Sequence, residues 1–226
     1  MGFYRGPKTI TDGLVFCLDA ANPKSYPGTG TTLFDLSGNG NNGSLINGPA
    51  YSSENKGIIE FDGVNDTCRV GNDSSISISD NLTLSFWFYF TALDPGKYSV
   101  NFIRKMSTTA DANFIIYFDG AYTPGKVRML ANRNGVWGVV SPDSPTLTPN
   151  AWYNIVWTYD NGGLMYTNGV VNGPKVSSGT LATNTEQLRI GDELSGGISD
   201  VRMYNKALTA EEVQQNYNAT KSRFNL

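Results

Sequence analysis

Trp152-Tyr153-Asn154-Ile155-Val156-Trp157-Thr158-Tyr159-Asp160 runs through Asn161-Gly162 into Leu164-Met165-Tyr166-Thr167-Asn168-Gly169. Alternating large residues predict a strand. Asn-Gly supplies positions where positive φ is cheap, and a second strand closes on another Asn-Gly pair. The stretch reads as a β-hairpin. Working outward, seven Asn-Gly pairs, at Asn39, Asn42, Asn47, Asn134, Asn161, Asn168 and Asn172, punctuate runs such as Leu82 to Phe90, Asn113 to Phe118, Lys126 to Leu130 and Leu188 to Ile190. Such punctuation predicts many strands in an antiparallel all-β fold. Within the longest run, Leu82, Leu84, Phe86, Phe88 and Phe90 share one face and Thr83, Ser85, Trp87 and Tyr89 the other. The even set is assigned to the core. Trp87 and Tyr89 are expected under a covering loop rather than stacked on sugar rings.

A chain of 226 residues with this apolar and aromatic share can build one sandwich core, so a single domain is expected. The net charge of −3 comes without a long basic run, which argues against a nucleic-acid partner. No apolar stretch approaches the ~20 residues needed to span a bilayer, and Met1 to Lys8 has no apolar core like that of a secretory signal. The expectation is a protein made in a cytoplasm, or one whose signal has been removed. Cys17 and Cys68 are far below the density of a disulfide scaffold and are read as two buried reduced thiols, with pairing left open. The chain contains no histidine, which excludes Ser-His-Asp and Cys-His catalysis, histidine-ligated zinc and histidine pH switching. Only carboxylate chemistry remains.

Near the C-terminus, Thr209 followed three residues later by Glu212 forms a capping box. Leu208 and Val213 make the flanking staple, and Val213 and Tyr217 share a docking face. One short helix is therefore predicted.

Four further stretches carry a family resemblance. They are Gly13-Leu14-Val15-Phe16-Cys17-Leu18-Asp19, Asp35-Leu36-Ser37-Gly38-Asn39-Gly40, Ile59-Glu60-Phe61-Asp62-Gly63-Val64-Asn65-Asp66 and Gly196-Gly197-Ile198-Ser199-Asp200-Val201-Arg202-Met203-Tyr204. With the hairpin, and in this order, they resemble the concanavalin A-like, laminin-G-like jelly-roll family. The wording, with Ser25 to Gly30, is similar to versions of the module in virion proteins of tailed bacteriophages. The resemblance implies a two-sheet antiparallel jelly-roll sandwich over residues 13–217, flanked by an N-terminal arm, 1–12, and a C-terminal tail, 218–226. The Leu14 to Leu18 strand is expected beside the Ile198 to Tyr204 strand.

Binding or assembly rather than chemistry is the implied function. Glucanases of the superfamily use a Glu-x-Asp-x-x-Glu strand to place acid and nucleophile on one face, and this sequence has none. No enzyme activity is expected; a glycoside-active enzyme is the remote alternative. The first expectation is a virion structural, appendage or capsid-decorating protein, whose partners are other virion subunits or copies of itself, with host-surface glycan as a further ligand. A lectin-like carbohydrate-binding module is the alternative, with Tyr122, Arg133, Trp137 and Asp192 in rim loops as candidate glycan contacts. No cofactor is required. In many relatives Asp and Asn oxygens hold one Ca²⁺, which makes Asp19, Asp62, Asp66 and Asp200 candidate calcium ligands. Asx turns account for the same residues without metal and are preferred. For assembly, Tyr4 and Arg5 in the arm and Arg223 and Phe224 in the tail are candidate anchors in a neighbouring subunit.

Overall fold

A computed structural model describes residues 7–93, 99–108, 112–119 and 124–226. In chain order the strands are β1 (Leu14–Asp19), β2 (Thr32–Leu33), β3 (Gly43–Ile46), β4 (Ala50–Ser52), β5 (Ile58–Asp62), β6 (Thr67–Val70), β7 (Leu82–Phe90) and β8 (Ser99–Lys105). They continue with β9 (Phe114–Asp119), β10 (Lys126–Arg133), β11 (Val136–Val139), β12 (Tyr153–Tyr159), β13 (Gly163–Thr167), β14 (Val170–Val171), β15 (Leu188–Ile190) and β16 (Ser195–Tyr204). One α-helix, α1 (Ala210–Thr220), follows the last strand and leads into a 3₁₀ turn at Lys221–Phe224.

The strands form two antiparallel sheets. Sheet 1 has the order β14-β13-β12-β7-β16-β5-β4, with β1 also paired to β16; sheet 2 has the order β11-β10-β9-β8-β15-β6-β3-β2. This is the jelly-roll sandwich expected from the sequence. β1 lies against the distal half of β16, with Leu18 opposite Val201 and Asp19 opposite Asp200. The proximal half of β16 pairs with β5, so Ser195 lies opposite Asp62. The opening hairpin is β12-β13, with Trp157 opposite Met165, and the Asn161-Gly162 turn has positive φ at both residues. Asn168-Gly169 turns the chain again into β14 with φ of 52° and 79°, the handedness that matches strand twist.

Period-two alternation places the core. From β7, Leu82, Leu84, Phe86, Phe88 and Phe90 point between the sheets and meet Phe102 of β8 and Phe118 of β9. Phe90 and Phe118 approach to 4.6 Å and Phe88 and Phe102 to 5.2 Å between ring centroids. Such aromatic pairs add about 0.5–1.5 kcal/mol each beyond the area they bury. Close packing leaves no room for a side chain at Gly191, which sits at φ 89° with the Phe61 ring against it.

The helix carries its capping box as read: the Thr209 hydroxyl accepts from the Glu212 N–H, and the Glu212 carboxylate accepts from the Thr209 N–H. Val213 packs with Leu208, Tyr204, Val156 and Tyr166 on the outside of sheet 1. The helix runs past residue 217, so the expected domain boundary falls inside it. Residues 7–12 fold onto the same helix, where the Ile10 N–H donates to Asn216 Oδ1 at 2.7 Å and Lys206 bridges Asp12 and Glu212.

Candidate functional site

A two-sheet sandwich has two outward faces, and here they differ. On sheet 1, Trp87 and Tyr89 point away from the core, as alternation required; Trp87 is buried, and Tyr89 is part-exposed. The Trp87 indole donates to Thr220 Oγ1 at 2.9 Å and stacks on Phe224 at 4.2 Å and on Tyr217 at 5.7 Å. Phe224 also meets Trp152 at 4.5 Å, and Trp152 meets Tyr89 at 4.9 Å. Beneath the tail lies a buried ionic network. Arg202 bonds Asp200 at 2.6 Å, and Arg223 bonds Asp19 at 3.0 Å and donates to the Ser199 hydroxyl. Burial lifts the Asp200 carboxyl to about 6 against the pull of Arg202, and lifts the neighbouring Cys17 thiol to about 12. Helix, tail and network cover the middle of this face with the chain's own residues, and a hollow of about 610 Å³ lined by Tyr166, Val171 and Gln214 remains beside the helix.

The outward face of sheet 2 is built differently. In β6, Cys68 and Val70 point into the core and Arg69 points out; in β15, Leu188 and Ile190 point in and Arg189 out. Arg104 of β8 faces the same way. Register sets these three side by side: Arg189 is directly opposite Arg69 on one side and Arg104 on the other. The row continues through Ile115 of β9 to Leu130 of β10. There Met106, Ala112 and Ile115 form a small apolar cluster against which Tyr117, Leu130 and Trp137 pack, each part-exposed. Arg104 is held by Asp192 at 2.7 Å, and Arg128 by Asp119 and Asp143 at 2.7 and 2.8 Å.

The sequence-predicted ligand contacts do not come together. Tyr122 lies outside the described residues. Arg133, at the end of β10, donates to the Ser178 carbonyl at 3.1 Å. Trp137 is opposite Asn132 on β11, at the same end of the sheet. Two polar hollows of about 420 and 390 Å³, lined by Asn132, Asn184 and Thr185 and by Asn81, Asn134 and Asn161, open at that end. Asp192 sits at the opposite end, after β15, buried and paired with Arg104. Among the described contacts only Arg133 and Trp137 are neighbours; Trp137 lies on the outward face described above, and Asp192 meets it only through its pair with Arg104.

The four acidic residues read as calcium ligands form two separate pairs. Asp62 Oδ1 accepts the N–H groups of Val64, Asn65 and Asp66, and Asp66 Oδ2 accepts that of Asp62. The Val64 N–H leads in holding the Asp62 carboxyl below its ordinary range, while burial raises that of Asp66. Asp19 and Asp200 lie five residues further along β16, about 16 Å away at the usual strand rise, and face Arg202 and Arg223. No group of three acidic or cysteine ligands occurs among the described residues. One pair is filled by its own turn's N–H groups and the other by guanidinium groups, so neither fits a hard cation needing six to eight oxygens.

The expected assembly anchors are also accounted for within the chain where they are described. Phe224 is 5% exposed between Trp87 and Trp152, and Arg223 is tied to Asp19, so neither is free to enter a neighbour. The reason is that α1 delivers the tail directly over an aromatic patch of its own sheet. Tyr4 and Arg5 lie outside the described residues. Sequence reasoning missed Lys105, whose fully buried ammonium donates to Asn72 Oδ1 at 2.8 Å, Asn184 Oδ1 at 2.8 Å and the Glu186 carbonyl at 2.9 Å. Burial pushes it down to about 8. Its role is to pin the segment before β15, which a lysine in an alternating strand does not announce.

The profile of the concanavalin A-like lectin/glucanases superfamily matches residues 62–214. The chain belongs to this family, in its laminin-G-like branch. Among solved structures, it is similar to the receptor-binding domain of botulinum neurotoxin C/D mosaic serotype at 15% identity and a TM-score of 0.72, covering 92% of this chain and 51% of that one. The binding domain of Paraclostridial Mosquitocidal Protein 1 gives 18% identity and a TM-score of 0.71, covering 92% and 52%. A Trypanosoma rangeli sialidase gives 14% and 0.66, covering 93% and 33%. The chain thus spans about half the length of the toxin domains and a third of the sialidase. No curated protein matches the sequence.

Proposed function

We propose that this chain is a non-enzymatic recognition domain that binds glycans on the outward face of sheet 2. The observation that carries the reading is the contrast between the two faces. Sheet 1 covers its outward Trp87 with its own tail, whereas sheet 2 presents part-exposed Tyr117 and Trp137 beside a row of arginines. Aromatic faces hold pyranose rings and guanidinium groups hold their hydroxyl and acidic substituents. Asp19, Asp119, Asp143, Asp192 and Asp200 are each committed to an arginine, which takes these five out of consideration as a free acid or nucleophile. A glycoside hydrolase needs a spaced pair free to act as acid and nucleophile. Titrating the pure chain with a panel of polysaccharides, with Trp137→Ala and Tyr117→Ala as variants, tests this. Binding weakened by both substitutions supports it; absence of binding to every polysaccharide, or steady release of reducing ends, overturns it.

A virion appendage or decoration protein is the setting we propose for this domain, and one observation favours it. The edge strands β11 and β14 expose Val136, Val139, Val170 and Val171, with 62% and 65% of Val136 and Val170 accessible. Apolar sheet edges are where a second chain packs. Mass spectrometry of purified particles from the source culture checks it: a stoichiometric polypeptide supports the setting, and its absence removes it.

A further inference from the structure

We propose that the polysaccharide recognised by sheet 2 is an acidic one, carrying carboxylate or sulfate groups, and that Arg69 and Arg189 are the residues that take those groups. The inference rests on the glycan-binding reading above and names its ligand class.

Three arginines stand in one register row across β6, β15 and β8. Like charges directly opposite each other on one sheet face are destabilising, so folding alone gives no reason to collect them. Four carboxylates around this face are already used. Asp192 is bound to Arg104, and Asp119 and Asp143 are bound to Arg128. Glu193 accepts from the Asn101 backbone and side chain. Arg69 and Arg189 have no hydrogen bond or ion pair among the described residues, and the Nε of each is shielded from solvent without an acceptor. The remaining guanidinium N–H groups of both residues have no acceptor within the described chain, and their planar geometry suits carboxylate and sulfate oxygens bidentately.

The shape of the face argues for a polysaccharide rather than a single small anion. Arg69, Arg189, Arg104, Ile115 and Leu130 lie on five adjacent strands, so the row is about 19 Å long at the usual strand spacing. Its first two positions are uncompensated charge and its far end is the apolar patch with Tyr117 and Trp137. An extended chain of acidic sugars offers both kinds of contact, an anionic substituent for the arginines and the apolar face of a ring for the aromatics. The overall charge of −3 supplies no general attraction for polyanions, so binding would depend on this local row.

The test uses the full chain and measures affinity for polygalacturonate, heparin and neutral dextran, with a short DNA duplex as a non-sugar polyanion. The variants are Arg69→Gln/Arg189→Gln, the conservative Arg69→Lys/Arg189→Lys, and Lys175→Gln, which removes an exposed charge elsewhere. Expected results are salt-sensitive binding of at least one acidic polysaccharide and a loss of about tenfold or more in the double Gln variant. Partial retention is expected in the double Lys variant and none of the loss in Lys175→Gln. The melting temperature of the double Gln variant should not fall, because a like-charge contact has been removed, so lost binding is not lost folding. Acidic polysaccharide binding that survives the double Gln substitution overturns the proposal, as does DNA bound equally tightly and lost in the same variant. Binding of dextran alone overturns the acidic assignment and leaves the recognition reading standing. Binding of none of the four probes overturns both.

Discussion

Replacing Phe224 by alanine tests how the face of sheet 1 is closed. The side chain is 5% exposed and stacks on Trp87 at 4.2 Å and on Trp152 at 4.5 Å. Truncating a buried phenylalanine costs about 3–5 kcal/mol where the surrounding structure cannot relax. Phe224 lies in the 3₁₀ turn after α1, which can lift from the sheet as a unit, and the cost is bounded by the free energy that holds that turn down. The lower ends of two aromatic contacts at about 0.5–1.5 kcal/mol each and of one buried ring at about 1.5–3 kcal/mol put the expected cost near 3 kcal/mol. For a chain of this size about 3 kcal/mol corresponds to a fall in Tm of roughly 6–12 °C. The assay is thermal unfolding followed by tryptophan emission. Release of the tail exposes Trp87 and Trp152, so a red shift below the main transition should accompany the lower Tm. A truncation ending at Thr220 gives a comparison, since it also removes the Arg223 bonds to Asp19 and Ser199. A Tm within about 2 °C of wild type, with emission unchanged, would refute the claim that the tail is a docked part of the sandwich.

Asp200→Asn leaves the Arg202 guanidinium buried without its partner at 2.6 Å, and should cost about 3–5 kcal/mol in urea unfolding. Adding Arg202→Met to it should recover part of that loss, and additive costs would count against the pair. Thr209→Ala removes the acceptor for the Glu212 N–H and should lower stability by about 1 kcal/mol, seen as a shift in urea midpoint without a change in slope. Asp62 has its carboxyl held below its ordinary range by N–H donors, so the stability it contributes is present above the ordinary carboxylate pKa. That contribution disappears as the pH falls through its lower folded value. Melting curves of wild type and Asp62→Ala should therefore differ at neutral pH and converge in acid; a gap that widens in acid would reverse the assignment.

Much of this architecture was written in local sequence. Period-two alternation in Leu82 to Phe90 assigned each side chain to its face without any knowledge of what lay opposite. Most of the Asn-Gly pairs marked turns because positive φ is a property of the residue itself; Asn42-Gly43 is the exception, with no positive φ and Gly43 opening β3. Thr209 and Glu212 announced the helix start because a capping box closes within four residues. The absence of histidine and of a spaced acidic strand bounded the chemistry in the same way, before any contact was known.

The tertiary structure decided what meets what. That Trp87 is covered by Phe224 depends on residues 137 positions apart in the chain, brought together when α1 carries the tail across sheet 1. Asp19, Asp62, Asp66 and Asp200 look alike in sequence, yet the pairing of β16 with both β1 and β5 splits them into one ionic network and one turn. The arginine row was invisible for the same reason. Arg69 and Arg189 sit singly between apolar neighbours and Arg104 between Ile103 and Lys105, each consistent with an ordinary solvent-facing strand position. Only the strand order β8-β15-β6 and a register exact to one residue set them side by side, because a slip of one residue would turn each arginine to the opposite face.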